Sequence, residues 1–271
     1  DLMKRVSGLN NDQIADVFDY WNNTEELSSY LVEITSACLR KKDEEDGQNI
    51  VERILDKAGQ KGTGLWTVVS ALELGVSVPT IYASLNGRVM SSMKLERESA
   101  EKIINGPVIK QFDFGSPTDG MNILMDAVVL ATIASYSQGM SLLSTASSEY
   151  KYELHMPSIA QIWKGGCIIR SRLLRRIQDA YSLDPNLKNL MMDPWFSQQI
   201  NQRMDGLGKV VIAAANSGVP VPCLSSTLDY INSYRTSRLP QNLVQAMRDC
   251  FGSHTYKRVD KDGDFHTEWI N

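Results

Sequence analysis

Histidine and cysteine are scarce, three and four among 271 residues. Cys38, Cys167, Cys223 and Cys250 lie far apart with no CxxC pair, so neither a disulfide framework nor a metal centre is expected. Each neighbours apolar or small residues, the setting of a reduced thiol packed inside a cytosolic protein. Lysine and arginine form no block and the net charge is −4. That excludes a broad nucleic-acid surface, which needs clustered cations to neutralise phosphates. No apolar run of about 18 residues appears and no signal-peptide pattern opens the chain, so no membrane span is expected. Alternating polar and apolar stretches are missing too, which removes the usual mark of a half-buried strand. The remainder is ordinary, 42% hydrophobic and 22% charged, in a chain long enough to bury a large core.

What is present is helical periodicity. Ile14, Val17, Phe18 and Trp21 follow the i, i+3, i+4, i+7 rule, as do Leu27, Tyr30, Leu31 and Ile34. Further helices are predicted over 50–58, 65–74, 82–104, 121–148, 159–178, 185–191, 194–216, 224–236 and 241–250, most of them ended by Gly, Pro or Asn. The fold class is therefore all-α. The chain also resembles itself: Leu72-Glu73-Leu74-Gly75-Val76-Ser77-Val78-Pro79 matches Ala215-Asn216-Ser217-Gly218-Val219-Pro220-Val221-Pro222, and Ile14-Ala15-Asp16-Val17-Phe18 parallels Ile159-Ala160-Gln161-Ile162-Trp163. The expectation is an all-helical domain over 1–250 made of two copies of one unit, about 1–118 and 119–250, followed by a tail over 251–271. A period this long is not that of a solenoid.

Ala58-Gly59-Gln60-Lys61-Gly62-Thr63-Gly64-Leu65-Trp66 stands out between two helical patterns. Its glycines let the backbone approach a ligand, while Lys61, the Thr63 hydroxyl and the amides leading into the next helix offer donors suited to a phosphate. It has neither the spacing of a nucleotide P-loop nor the GxGxxG order of a dinucleotide fold. By itself the signal is weak, and the loop reads more readily as a flexible inter-helix connection with a surface lysine.

Two more segments join it, Trp163-Lys164-Gly165-Gly166-Cys167-Ile168-Ile169-Arg170-Ser171 and Arg248-Asp249-Cys250-Phe251-Gly252-Ser253-His254-Thr255-Tyr256. With Ala58 to Gly64 they resemble the 6-phosphogluconate dehydrogenase family in content, order and spacing, and the resemblance runs over nearly the whole chain. It covers the family's C-terminal helical domain. The implied activity is NADP-dependent oxidative decarboxylation of 6-phosphogluconate to ribulose 5-phosphate and CO₂, without a metal, in the cytoplasm, or in a plastid if a targeting segment preceded. The resemblance places the dinucleotide-binding domain and the catalytic lysine and glutamate before Asp1. No catalytic residue is then expected in these 271 residues, no cofactor contact is assigned, and the chain alone should be inactive.

The same resemblance gives Lys61, Thr63 and Arg88 to the substrate phosphate. Arg248 and His254 are implied to reach the phosphate and a sugar hydroxyl in a second subunit, making the protein a homodimer whose tail embraces its partner. Without the family, Arg88 is a solvated helix arginine, Arg248 a cation favoured by a helix C-terminus and His254 a surface histidine. His155 and His266 read as ordinary. The tail beyond Tyr256 is too polar to fold alone, with Phe265 and Trp269 as anchors for a partner. Trp163 to Cys167 reads as a helix-packing motif, and Asp184 and Asp193, each before a proline, as helix N-caps. Two rival readings stay open: a non-catalytic helical dimerisation module, and another β-hydroxyacid dehydrogenase.

Overall fold

The structure, a computed structural model, describes residues 1–59, 61–108 and 117–270. Among them every regular element is a helix, and β-pairing is limited to isolated bridges. Helix α1 (Asn11–Asn22) starts in a capping box: Asn10 Oδ1 accepts from the Gln13 amide at 2.9 Å, and the Gln13 side chain accepts from the Asn10 amide at 2.9 Å. Ser29 opens α2 (Tyr30–Arg40), its hydroxyl accepting from the Val32 amide at 3.3 Å. Then follow α3 (Thr63–Glu73), α4 (Pro79–Ser92), α5 (Lys94–Glu101), α6 (Pro117–Tyr150), α7 (Met156–Ile162), α8 (Leu173–Leu183), α9 (Pro194–Asn216), α10 (Pro222–Tyr234) and α11 (Gln241–Gly252). The chain divides into two compact units, 1–230 and 231–271.

The core of the first unit forms where α6 lies along α9. Leu130, Ile133 and Met140 of α6, Leu207 and Val210 of α9, and Leu173, Leu174 and Ile177 of α8 are all fully buried. Each such side chain stabilises the fold by roughly 1.5–3 kcal/mol relative to leaving it in water. By length and composition alone, α6 could cross a membrane. Asp126 and scattered serines interrupt its apolar run, so the sequence does not read as a span. In the fold, α6 is the central packing helix.

Helices α3 and α9 end alike. Gly75 (φ 66°) and Gly218 (φ 63°) both take the left-handed conformation, while the Val76 amide donates to Ala71 C=O at 2.7 Å and the Val219 amide to Ala214 C=O at 2.9 Å. Pro79 and Pro222 then open α4 and α10. The two matched sequence segments thus build one backbone device twice.

Four predicted helices differ. Over 50–58 only the short turn Ile50–Arg53 forms, and over 185–191 only Leu190–Met192. The helix predicted over 82–104 breaks at Met93, whose ψ of 40° leaves the helical range. The one predicted over 159–178 splits into α7 and α8, because Gly166 turns left-handed (φ 66°) and the strand-like Ser171 pairs with Ser29. The cysteines are free, but Cys38 and Cys250 are exposed rather than packed, since each lies on an outward helix face; burial pushes the half-buried Cys223 thiol up. Asp193 caps α9, accepting from the Trp195 and Phe196 amides at 3.0 and 3.2 Å. Asp184 is not an N-cap: it closes the C-terminus of α8, its amide donating to Ala180 C=O, and its carboxylate accepts from the Asn186 amide in the turn that follows.

Candidate anion-binding site

In the first unit the glycine-rich loop leads straight into α3. Gly62 has φ 104°, a conformation costly for any side chain, and a Cβ there would sit 3.1 Å from the Trp66 ring. Gly62 also occupies the N-cap position and brings no side-chain cap, so the first-turn amides of α3 stay available to an anion at the positive end of the helix dipole. Gly64 lets the helix start close to α4, where a Cβ would lie 3.4 Å from Leu85. Lys61 and Thr63 are exposed beside this turn.

Arg88 lies on α4, and Ser91, one turn on, ties that helix to the loop. The Ser91 hydroxyl accepts from the Ala58 amide at 3.0 Å and donates to Arg88 C=O at 2.7 Å. Asp56 holds the other side: it pairs with Lys94 at 2.8 Å and with Arg97 at 3.0 Å, and Arg97 also donates to Asp56 C=O and Ser91 C=O. Hydrogen bonds from Lys94 and Arg97 keep the Asp56 carboxyl below its ordinary range. Two of the cations in this neighbourhood, Lys94 and Arg97, are therefore paired with Asp56, and Lys94 also pairs with Glu98 at 3.4 Å. Among the described residues no carboxylate pairs with Lys57, Lys61 or Arg88, and all three side chains are exposed. Sequence reasoning nominates the loop and Arg88 but neither Asp56 nor Ser91, whose partners lie more than thirty residues away.

The second unit carries the other two predicted residues. Arg248 is exposed on α11, its guanidinium 3.3 Å from Gln245 Oε1. Helix α11 ends at Ser253 in the left-handed conformation, and His254 follows, exposed, its ring edge-on to Phe251 at 6.0 Å. A Cβ on Gly252 would come within 2.7 Å of His254 Nε2, so only glycine lets the ring lie there. Beyond it the tail is folded, contrary to the expectation of a segment too polar to order by itself. Tyr256 and Phe265 pair in an antiparallel bridge with amide–carbonyl distances of 2.8 and 2.9 Å, and the Tyr256 ring faces both Phe265 and Trp269. Trp269 and His266 both reach Asp249, so His266 is not the ordinary surface histidine the sequence suggested. The missed signal is one aspartate at the end of an amphipathic helix, followed by a donor-rich tail.

His155 pairs with Ser158 at 2.7 Å at the start of α7. Among the described residues no group of three His, Cys, Asp or Glu side chains is arranged to hold a metal. A cleft of about 630 Å³ opens in the first unit, lined by residues that include Leu31, Ile81, Val128, Tyr136 and Ile168. Its walls are almost wholly apolar and include neither Lys61 nor Arg88, so it is not the anion site.

Comparison with known proteins gives concordant results. The family described as 6-phosphogluconate dehydrogenase, C-terminal domain, matches residues 1–269. The chain is 50% identical over 271 residues to the decarboxylating 6-phosphogluconate dehydrogenase of Synechococcus elongatus, covering 100% of this chain and 57% of that protein. It is 46% identical over 273 residues to the NADP(+)-dependent, decarboxylating enzyme of Bacillus subtilis, covering 99% of this chain and 57% of that protein. Among solved structures it is similar to the 6-phosphogluconate dehydrogenase of Plasmodium falciparum, with a TM-score of 0.95, 41% identity, and coverage of 99% of this chain and 57% of that one. The chain thus spans little more than half the length of these relatives.

Proposed function

The chain belongs to the 6-phosphogluconate dehydrogenase family through its C-terminal domain, and from that premise we propose that it is the substrate-anchoring and dimer-forming part of an NADP-dependent, decarboxylating 6-phosphogluconate dehydrogenase acting in the cytoplasm. Lys61, Thr63 and the first-turn amides of α3 hold the substrate phosphate, and Arg88 grips it from α4 with a planar fork of donors. Arg248 and His254 come from the tail of a second copy, the arginine to the phosphate and the histidine to a sugar hydroxyl. The observation that carries this reading is the unequal treatment of neighbouring cations: Asp56 pairs with Lys94 and Arg97 and Glu98 with Lys94, while Lys61 and Arg88, like Lys57, stay exposed near an uncapped helix start, with no carboxylate partner among the described residues.

Binding energy gathered at the phosphate, remote from the reacting carbon, orients that carbon for reaction. NADP supplies hydride acceptance when bound. The described residues form no strand, and with it no strand-turn-helix to cradle a dinucleotide pyrophosphate. They bind and orient the sugar phosphate, and other parts of the enzyme carry the redox step; the chain by itself should not reduce NADP.

Calorimetric titration of the chain tests the anchor. Lys61→Ala and Arg88→Ala should each weaken 6-phosphogluconate binding by about 1.5–3 kcal/mol, the range for a charge-assisted hydrogen bond. Gluconate, which lacks the phosphate, should lose much less. Equal losses for both ligands would show that these side chains do not read the phosphate.

A further inference from the structure

The Asp249 side chain is fully buried at the inner face of α11, and four donors converge on its two oxygens. The Thr255 amide and His266 Nδ1 reach Oδ1 at 3.0 and 2.9 Å; the Thr267 amide and Trp269 Nε1 reach Oδ2 at 3.0 and 2.8 Å. A carboxylate offers about four acceptor sites, and every one is used. Because a carboxylate has no proton to give, His266 must carry its hydrogen on Nδ1. One side chain therefore gathers backbone and ring donors from both arms of the tail, before and after the Tyr256–Phe265 bridge.

His254 sits inside that closure. Its neighbours Ser253 (φ 48°) and Thr255 (φ 60°) both occupy the left-handed region, which non-glycine residues adopt only when the surroundings hold them there. Thr255 is held at both ends, its amide by Asp249 and its carbonyl by Gln245 Nε2 at 2.7 Å. The Ser253 amide is held by the Asp249 carbonyl at 2.8 Å. The backbone on either side of His254 thus answers to Asp249, and Arg248 is the residue just before it in the chain.

We propose that Asp249 is a positioning residue: it closes the tail over the end of α11 and so fixes the direction of the His254 ring and of the Arg248 edge. Its bearing on catalysis rests on the reading of Arg248 and His254 as substrate contacts. Asparagine would be a poor replacement. With one oxygen in place of two, it would turn its own NH₂ group toward the Thr267 and Trp269 donors.

The test uses the chain carrying Asp249→Asn, with Trp269→Phe as a milder variant that removes a single donor and leaves the carboxylate. Imidazole NMR signals of His254 and amide exchange at Thr255 and Thr267 read the closure itself. Broadened or shifted His254 signals and faster exchange confined to 253–269 are expected, with smaller changes of the same kind in Trp269→Phe. An unchanged His254 signal in both variants overturns the proposal; if Asp249→Asn does not fold, Trp269→Phe decides alone. Titration with 6-phosphogluconate separates this from the substrate reading. Asp249→Asn should lose about ten-fold or more in affinity, and the double variant with His254→Ala should lose no more than the larger of the two single losses, whereas a general destabilisation would add to it. If His254 loosens and neither Asp249→Asn nor His254→Ala changes affinity, the positioning role stands and the substrate contact is refuted.

Discussion

Burial works to raise the Asp249 carboxyl, but the hydrogen bonds from His266, Trp269, Thr267 and Thr255 outweigh it and hold the group far below the ordinary carboxylate range. The sign of its pH dependence follows. A depressed acid contributes its full stability above the unfolded pKa of about 3.9 and loses it as pH falls from there through the native value. The Trp269 indole N–H signal should therefore persist unchanged down to about pH 4 and weaken progressively as the pH falls below that. Loss at mildly acidic pH, while Asp249 is still ionised, would show that the carboxylate does not hold the tail. At this scale the sequence disclosed residues whose chemistry is written locally. Lys61 and Thr63 can be nominated from the sequence because glycines flank them. Asp249 was not, because its donors lie six to twenty positions downstream and nothing in an Arg-Asp-Cys triplet names them.

Helix α6 carries the packing of the first unit. Replacing Leu130 or Ile133 by alanine removes buried methyl groups at a place where α9 cannot collapse, and should cost about 2–5 kcal/mol each in denaturant unfolding. Losses under about 1 kcal/mol would show that the α6–α9 contact is looser than the structure has it. The register of such helices was plain in the sequence, since an apolar stripe needs no distant information. The breaks were not. At Met93 the chain leaves the helix and re-enters it, and α5 then presents Lys94 and Arg97 to Asp56, nearly forty residues earlier. Periodicity runs on through that point, because the reason for the bend lies in another segment. The turn at Gly166 is a similar case: the glycines read as allowing close helix packing, whereas α7 has already ended at Ile162 and the left-handed Gly166 lies in the turn that leads Ser171 to Ser29.

For the whole molecule, the telling surface is α11. Leu243, Val244, Met247 and Phe251 are all exposed, at 64, 53, 56 and 73%, on an otherwise folded unit. Four large apolar side chains on one short helix are the kind of surface a partner would cover, and the proposed second copy would be that partner. Subunit mixing tests the arrangement. Lys61→Ala and His254→Ala chains should each bind 6-phosphogluconate weakly as separate dimers. In the mixed dimer one site carries both lesions and the other neither, so about one tight site per dimer should return. If exchange is confirmed and no tight binding appears, each tail serves its own chain.

The folded tail also bears on the order of events in assembly. A segment disordered until it docks meets its ordering cost at the moment of contact, which weakens binding and gives a large heat-capacity change. Here the Tyr256–Phe265 bridge and the Asp249 cluster order the segment beforehand. Two copies would then meet as shaped bodies, with encounter limited by orientation rather than by folding. Dimer formation should accordingly proceed in a single concentration-dependent phase, with no slower first-order step after it.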